Sequence, residues 1–243
     1  MKTMKFLVPA VALAFLMACG NQTAGERTST NRAVLSQAEQ AALTPDCVIE
    51  ILKQGNQDFV NGNLLVRNSP DIIRDAANGQ FPMAVILSCL DSRVPVEDVF
   101  NRYIGDLFVG RVAGNLVNVD FLGSMEFATA VAGARVIMVL GHGACGAVMH
   151  AINGSDPTQN LVEMLAKIKP AMTMGSAAEY SGDRSMNNME FVDMVAVQNV
   201  ILGVQNIRNG SPLLAEMERN GQIRIIGGFY HMETGKVEFF TNL

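Results

Sequence analysis

The sequence has no tryptophan, no internal repeat, only four cysteines and a shortage of positive charge. Lys and Arg number 18 against 23 Asp and Glu, for a formal charge of -5, and no basic patch argues for a nucleic-acid partner. No Cys-x-x-Cys pair occurs, which removes a thioredoxin-like redox site. The Gly-rich turn from Gly141 to Gly146 lacks the Lys-Ser/Thr pair of a phosphate loop.

An apolar run from Phe6 to Leu16 follows Lys2 and Lys5, and it is too short to span a bilayer comfortably. Residues 1–18 read as a targeting segment whose ending, Leu16-Met17-Ala18-Cys19-Gly20, resembles a bacterial lipobox. That reading implies cleavage before Cys19 and lipidation of its thiol; an ordinary secretory signal or an uncleaved anchor is the alternative. Residues 19–33 are polar and aperiodic, as a flexible tether should be. The expectation is a lipid-anchored protein of the bacterial cell envelope, facing the periplasm, with no other membrane contact. Without residues 1–18 the chain keeps 16 basic and 23 acidic residues, and 34–243 has the length and apolar content of one soluble catalytic domain.

Four cysteines in an exported chain would suggest two disulfides. The lipobox claims Cys19, however, and Cys89 and Cys145 sit in motifs suited to one metal. Cys47 is then left as a lone, half-buried core thiol.

The pattern beyond the tether alternates between helix and strand. Leu35 to Asn61 has helical spacing, with Pro45 and Asp46 restarting a second helix that carries Val48, Ile49, Leu52, Phe59 and Val60. Met83 to Ser88, Asp106 to Val112 and Arg135 to Leu140 are apolar runs that read as buried strands, and Phe121, Met125, Ala128 and Ala132 share a helical face between the last two. Strand, helix, strand in this order implies a right-handed parallel crossover. Short helix follows from Gly146 to Ile152 and again from Asn160 to Met172, and residues 173–190 read as a loop or small excursion. Helix returns from Phe191 to Arg208, Ser211-Pro212 opens another, and Ile223 to Gly227 and Lys236 to Phe240 close the chain as strands. The fold class is α/β: a central, mostly parallel sheet flanked by helices, with an N-terminal helical arm and motifs at the carboxyl ends of strands.

Cys89 ends one strand and His142 another, with Cys145 three residues on at the start of a helix. Two thiolates and one imidazole can converge on a metal ion, and three protein ligands leave a place for water or substrate, as catalytic zinc sites do. A buried cysteine beside an unrelated Gly-rich turn is the bland alternative. Asp91 and Arg93 follow Cys89 closely enough to pair, and a carboxylate kept ionised and oriented by arginine suits an acceptor for a metal's water. A plain surface ion pair would be worth little. His150 and His231 read as structural.

Taken together, Cys89-x-Asp91-x-Arg93, Phe108 to Asn115, Gly141 to Val148, Gly227 to Tyr230 and Thr234 to Val237 resemble a β-class carbonic anhydrase from about Phe81 to Phe240. The resemblance implies one zinc ion per chain on Cys89, His142 and Cys145, with Asp91 and Arg93 as the catalytic dyad. It implies a substrate pocket carried by Gln80, Phe108, Ala113, Phe127 and the Gly146 amide. It also implies reversible hydration of carbon dioxide to bicarbonate and a homodimer or tetramer with the pocket at the subunit interface, the N-terminal helices embracing the partner. Val112 stands where the family usually has Asn. Ile86 and Ile201 stand where members with a bicarbonate-regulated closed state have Trp and Tyr. The open form, with Asp91 paired to Arg93, is therefore expected. Two rivals keep the same ligands: a carbonyl sulfide or carbon disulfide hydrolase on the same fold, and an envelope protein that binds zinc or bicarbonate without turnover.

Overall fold

A computed structural model describes residues 34–65, 70–154 and 158–243. The expected targeting segment, the tether and Cys19 lie outside the described residues.

Ser36 opens α1 (Gln37–Ala42) with a capping box, its hydroxyl accepting from the Glu39 N–H while the Glu39 carboxylate accepts from the Ser36 N–H. Thr44 caps α2 (Pro45–Val60), and Pro45 occupies the first helical position, where a missing N–H costs nothing. α2 places Val48, Ile49 and Leu52 in one core with Ile86, Met138 and Ile226, so the helical arm packs on its own chain. A short α3 (Pro70–Ala76) precedes the sheet.

The sheet holds β1 (Ala84–Ser88), β2 (Leu107–Arg111), β3 (Val136–His142), β4 (Arg224–Tyr230) and β5 (Val237–Phe240), in the order β2-β1-β3-β4-β5. All pairings are parallel except that of β4 with β5. Alternation on β3 sends Val136, Met138 and Leu140 to the α2 side and Ile137 and Val139 to the opposite side, where Val200 and Val204 of α9 (Met189–Gly210) meet them. The sheet is thus the middle of three layers, which is why β1 and β3 are buried at every position.

The remaining helices connect strands. α4 (Val96–Val99) leads towards β2, and α5 (Val119–Glu126) runs into a π turn at Phe127–Val131 on the way to β3. After β3 come α6 (Gly146–Asn153), α7 (Gln159–Ala166), a 3₁₀ turn at Lys169–Thr173, and α8 (Gly175–Glu179). Ser211 caps α10 (Pro212–Arg219) through the Leu214 N–H. No helix among the described residues is long and apolar enough to cross a membrane.

Three expectations need adjustment. β4 continues three residues past Gly227, through Gly228, where packing leaves no room for a side chain: a Cβ there would lie 2.1 Å from Met138 Cε. Residues 173–190 contain α8 and are tied down by Arg184, which donates to the carbonyls of Met172 and Ala177 and stacks 4.8 Å above the Phe191 ring. Cys47 is buried rather than half-buried, and it is disulfide-bonded rather than a lone thiol.

Candidate metal centre

β1 and β3 are parallel neighbours, so their carboxyl ends open at the same edge of the sheet. Cys89 leaves the end of β1, His142 is the last residue of β3, and Cys145 caps α6 after a two-residue turn. Their ligand atoms lie within 4.8 Å of one another, and the residues are only 4%, 1% and 1% exposed. The two sulfurs are 4.0 Å apart. Two zinc–sulfur bonds of about 2.3 Å at a tetrahedral angle need about 3.8 Å, so the pair fits that ion with little movement.

The imidazole is set for the same task. A backbone carbonyl can only accept, so the 2.9 Å contact between His142 Nδ1 and the Gly143 oxygen is an Nδ1–H donation. In the neutral ring Nε2 is therefore the lone-pair nitrogen, and it is buried with no hydrogen-bond partner. A buried acceptor left bare is costly, and a metal ion among two thiols and this nitrogen answers it.

The thiols share one proton between them. The hydrogen bond from Cys145 is the largest influence that lowers the Cys89 thiol to about 4, with burial opposing and the His142 side chain and the N–H groups of Gly114 and Asp91 assisting. Cys145 is pushed up by that bond to Cys89 and by burial, against the N–H groups of Ala147 and Val148 at the start of α6. Burial works against a charged His142, but the Cys89 thiolate beside it raises its pKa on balance. A divalent cation would relieve both sulfurs at once.

Asp91 and Arg93 form the expected pair. Arg93 Nε donates to Asp91 Oδ1 at 2.9 Å, Nη2 donates to Oδ2 at 2.7 Å, and the Arg93 N–H adds a third bond at 2.9 Å. The Arg93 hydrogen bonds hold the Asp91 carboxyl down to about 2, with burial opposing them. Asp91 Oδ2 stands 3.8 Å from His142 Nε2, so the fixed carboxylate borders the ligand cluster.

Several supporting residues escape a sequence reading. Arg111 holds the backbone around the ligand, donating through Nε to the Cys89 carbonyl at 3.0 Å and through Nη2 to the Asp91 carbonyl. The Gly114 N–H donates to Cys89 Sγ at 3.3 Å, and Asn199 of α9 fixes that turn by donating to the Gly114 carbonyl at 2.8 Å. Asp193, also on α9, accepts from the Ala144 N–H at 2.8 Å. Ala144 has φ +48°, a left-handed conformation that costs an L-residue with a Cβ about 1–2 kcal/mol. Each of these contacts involves a backbone group, which no spacing rule reveals.

The residues expected to form the substrate pocket divide into two groups. Ala113 and Gly146 lie beside the cluster, next to Gly114 and Cys145 respectively, and nothing stands within 4 Å of where a Gly146 Cβ would be. Phe108 and Phe127 meet each other at 6.3 Å between ring centroids, but Phe108 sits opposite Val85, four residues before Cys89. Gln80 is exposed and precedes the amino end of β1, away from the edge that carries the ligands. Within one chain the structure does not bring Gln80, Phe108 and Phe127 to the cluster.

The sequence profile of the family described as carbonic anhydrase matches residues 84–237, well over half of the chain. The chain belongs to the carbonic anhydrase family. Among its relatives, carbonic anhydrase of Mycolicibacterium smegmatis is 33% identical over 205 residues, covering 82% of this chain and 95% of that protein. Carbonic anhydrase 2 of Mycobacterium tuberculosis is 32% identical, covering 79% and 91%. Solved β-carbonic anhydrases share the fold: the Coccomyxa enzyme, in complex with acetazolamide, superposes with a TM-score of 0.63 at 21% identity, covering 79% of this chain and 84% of that one. A tetrameric β-carbonic anhydrase from Sordaria macrospora gives 0.62 at 24%, covering 70% and 86%. For a carbonic anhydrase, a Cys-His-Cys cluster is a zinc site, and the sulfur-substrate and non-catalytic readings are not favoured.

Proposed function

We propose that this carbonic anhydrase interconverts carbon dioxide and bicarbonate with one zinc ion per chain held by Cys89, His142 and Cys145. The observation that carries the reading is the bare, buried Nε2 of His142 facing two thiols beside a locked carboxylate. When bound, zinc supplies the Lewis acidity that makes water a nucleophile near neutral pH. Arg93 keeps Asp91 ionised and in one rotamer, so a carboxylate oxygen is always available to accept a hydrogen bond from the reacting water and aim its lone pair. The Gly146 N–H, at the start of α6, is proposed to donate to a bicarbonate oxygen, and the open space beside Gly146 supports this. Arg111, Gly114 and Asn199 keep the Cys89 turn from shifting during turnover. Stopped-flow hydration of carbon dioxide by residues 20–243, alongside zinc content, tests this. Fast turnover that follows zinc content and rises with pH is the expected result; zinc-loaded protein without turnover would overturn it.

A second copy of the chain is proposed to complete the pocket. Phe108 and Phe127 line a groove of about 830 Å³ with Val85, Leu87, Phe121 and Met125, and its rim leaves Val119 and Phe127 77% and 51% exposed. An apolar face of that kind usually marks an interface, and a partner there would bring the groove's aromatic side chains and Gln80 into a shared site. The assembly proposed is a homodimer or a tetramer.

The envelope location is proposed on the sequence signal alone: cleavage before Cys19, acylation of its thiol, and a periplasm-facing domain on a polar tether. The chain's four cysteines include the free pair Cys89 and Cys145 and the disulfide-bonded Cys47. Acylation of the Cys19 thiol and a Cys47 disulfide within the same chain exclude each other, because Cys19 is the remaining cysteine; the lipid reading therefore requires the Cys47 partner to come from another chain. Intact mass of the purified membrane fraction decides: an acyl addition at Cys19 supports anchoring, and an unacylated full-length or simply cleaved chain defeats it.

A further inference from the structure

Ala144 lies between two metal ligands, His142 and Cys145, and its backbone is bonded at both ends. Its N–H donates to Asp193 Oδ1 at 2.8 Å, and its carbonyl accepts from Arg93 Nη2 at 3.3 Å. The same guanidinium nitrogen holds Asp91 Oδ2 at 2.7 Å. A continuous chain of hydrogen bonds therefore runs from α9, through the turn between the ligands, to the dyad.

Two further observations give Asp193 a role in shaping that turn. Ala144 holds φ +48°, in a region that residues with a Cβ seldom enter, and such a conformation persists only where the surroundings over-determine it. The N–H bond to Asp193 is one such restraint. Gly143, next to it, has no side chain, and a Cβ there would come within 3.3 Å of Asp193 Oδ2. The carboxylate can close on the turn because Gly143 is bare. Its base is rigid: Phe191, Val192, Val195 and Ala196 of α9 are buried in the same core as Cys89 and Cys145.

We infer that Asp193 is a positioning residue for the metal centre: by accepting the Ala144 N–H it fixes the turn that spaces His142 from Cys145 and that supports Arg93 beneath Asp91. The acceptor oxygen is what matters, so Asp193→Asn keeps the function and Asp193→Ala loses it. The kinetic part of this inference rests on the hydratase reading; the metal-binding part does not.

The test compares wild type, Asp193→Ala and Asp193→Asn as full-length oligomers. Readouts are the rate of zinc release to a chromogenic chelator, the visible spectrum of the cobalt-substituted protein, and kcat and KM for carbon dioxide. Asp193→Ala should release zinc about 10–100-fold faster, in the range seen when a residue orienting a ligand is lost. It should also alter the cobalt spectrum and lower kcat more than it raises KM. Asp193→Asn should recover most of each change. Unaltered zinc release and cobalt spectrum in Asp193→Ala would overturn the inference, as would an Asp193→Asn protein as impaired as the alanine variant, since charge would then be the agent. If Asp193→Ala does not fold, Gly143→Ala serves, because it displaces the carboxylate from within the turn; an unchanged cobalt spectrum there overturns the inference too. A wild type that binds zinc but does not turn over would sink the hydratase reading and leave zinc release and the cobalt spectrum to decide on Asp193.

Discussion

The imidazole of His142 is held by the Gly143 carbonyl at Nδ1, and that bond assigns the lone pair to Nε2. Cys89 and Cys145 keep one proton between them, since the first thiol lies at about 4 and the second is pushed up. Zinc uptake by the metal-free protein near neutral pH should therefore release about one proton from the thiol pair, with His142 adding any it carries. Titration calorimetry in buffers of different ionisation enthalpy measures this, and binding without net proton release would contradict the shared-proton picture. Asp91 is depressed from 3.8 to about 2, so the stabilisation from its pairing is complete above the usual carboxylate value and is lost only as pH falls towards about 2. In the neutral and alkaline range Asp91 stays charged. Asp91→Asn should lower kcat about a hundredfold or more while zinc content holds, and the midpoint of the rate-pH profile should stay put; a large displacement of that midpoint would mean Asp91 was the titrating group. The ligands and dyad were legible in the sequence because both motifs are local, Cys89-x-Asp91-x-Arg93 and His142-x-x-Cys145. Arg111, Asp193 and Asn199 were not, because their partners at this site are backbone groups brought near by folding.

Among the elements, β1 and β3 were readable as buried strands because nothing polar interrupts them until the ligands. β4 runs past the apolar stretch Ile223 to Gly227 because Gly228 has no side chain to mark a buried strand, while the fold uses both glycines to admit neighbours: a Cβ on Gly227 would lie 2.6 Å from Val200 Cγ1. Gly228→Ala should lower stability by about 1–3 kcal/mol, as overpacking of a core does; the space is claimed by Met138 Cε. Denaturant melts would show it, and Gly228→Ala should cost less when made in a Met138→Ala chain than in the wild type. The 173–190 segment lacked any periodic signal because side-chain contacts organise it: Arg184 donates to the Met172 and Ala177 carbonyls and lies on Phe191, whose ring also stacks with Tyr180 at 5.6 Å, and Asn188 donates to the Tyr180 hydroxyl and the Asp183 carbonyl. Arg184→Ala should raise the rate of proteolytic cutting within 173–190 with little effect on the rest of the domain. A cutting pattern identical to wild type would show that the clamp is dispensable.

For the whole molecule, the class of fold followed from the order of strands and helices, but Gln80, Phe108 and Phe127 have no common location within one chain, and a second copy uniting them is the proposal. If the exposed groove is an interface, Val119→Glu should shift the protein to monomer in sedimentation velocity and reduce turnover while leaving zinc bound. A monomeric wild type would defeat that arrangement. The spacing of the two ligand sulfurs has another consequence, of a redox kind. A disulfide needs its sulfurs about 2.05 Å apart, and Cys89 and Cys145 begin at 4.0 Å with one already a ready thiolate. Metal and oxidant thus compete for the same pair. In an oxidising compartment, a chain that folds before it meets zinc risks sealing its own active site, so the timing of metal delivery, more than the affinity of the finished site, would set the yield of working enzyme.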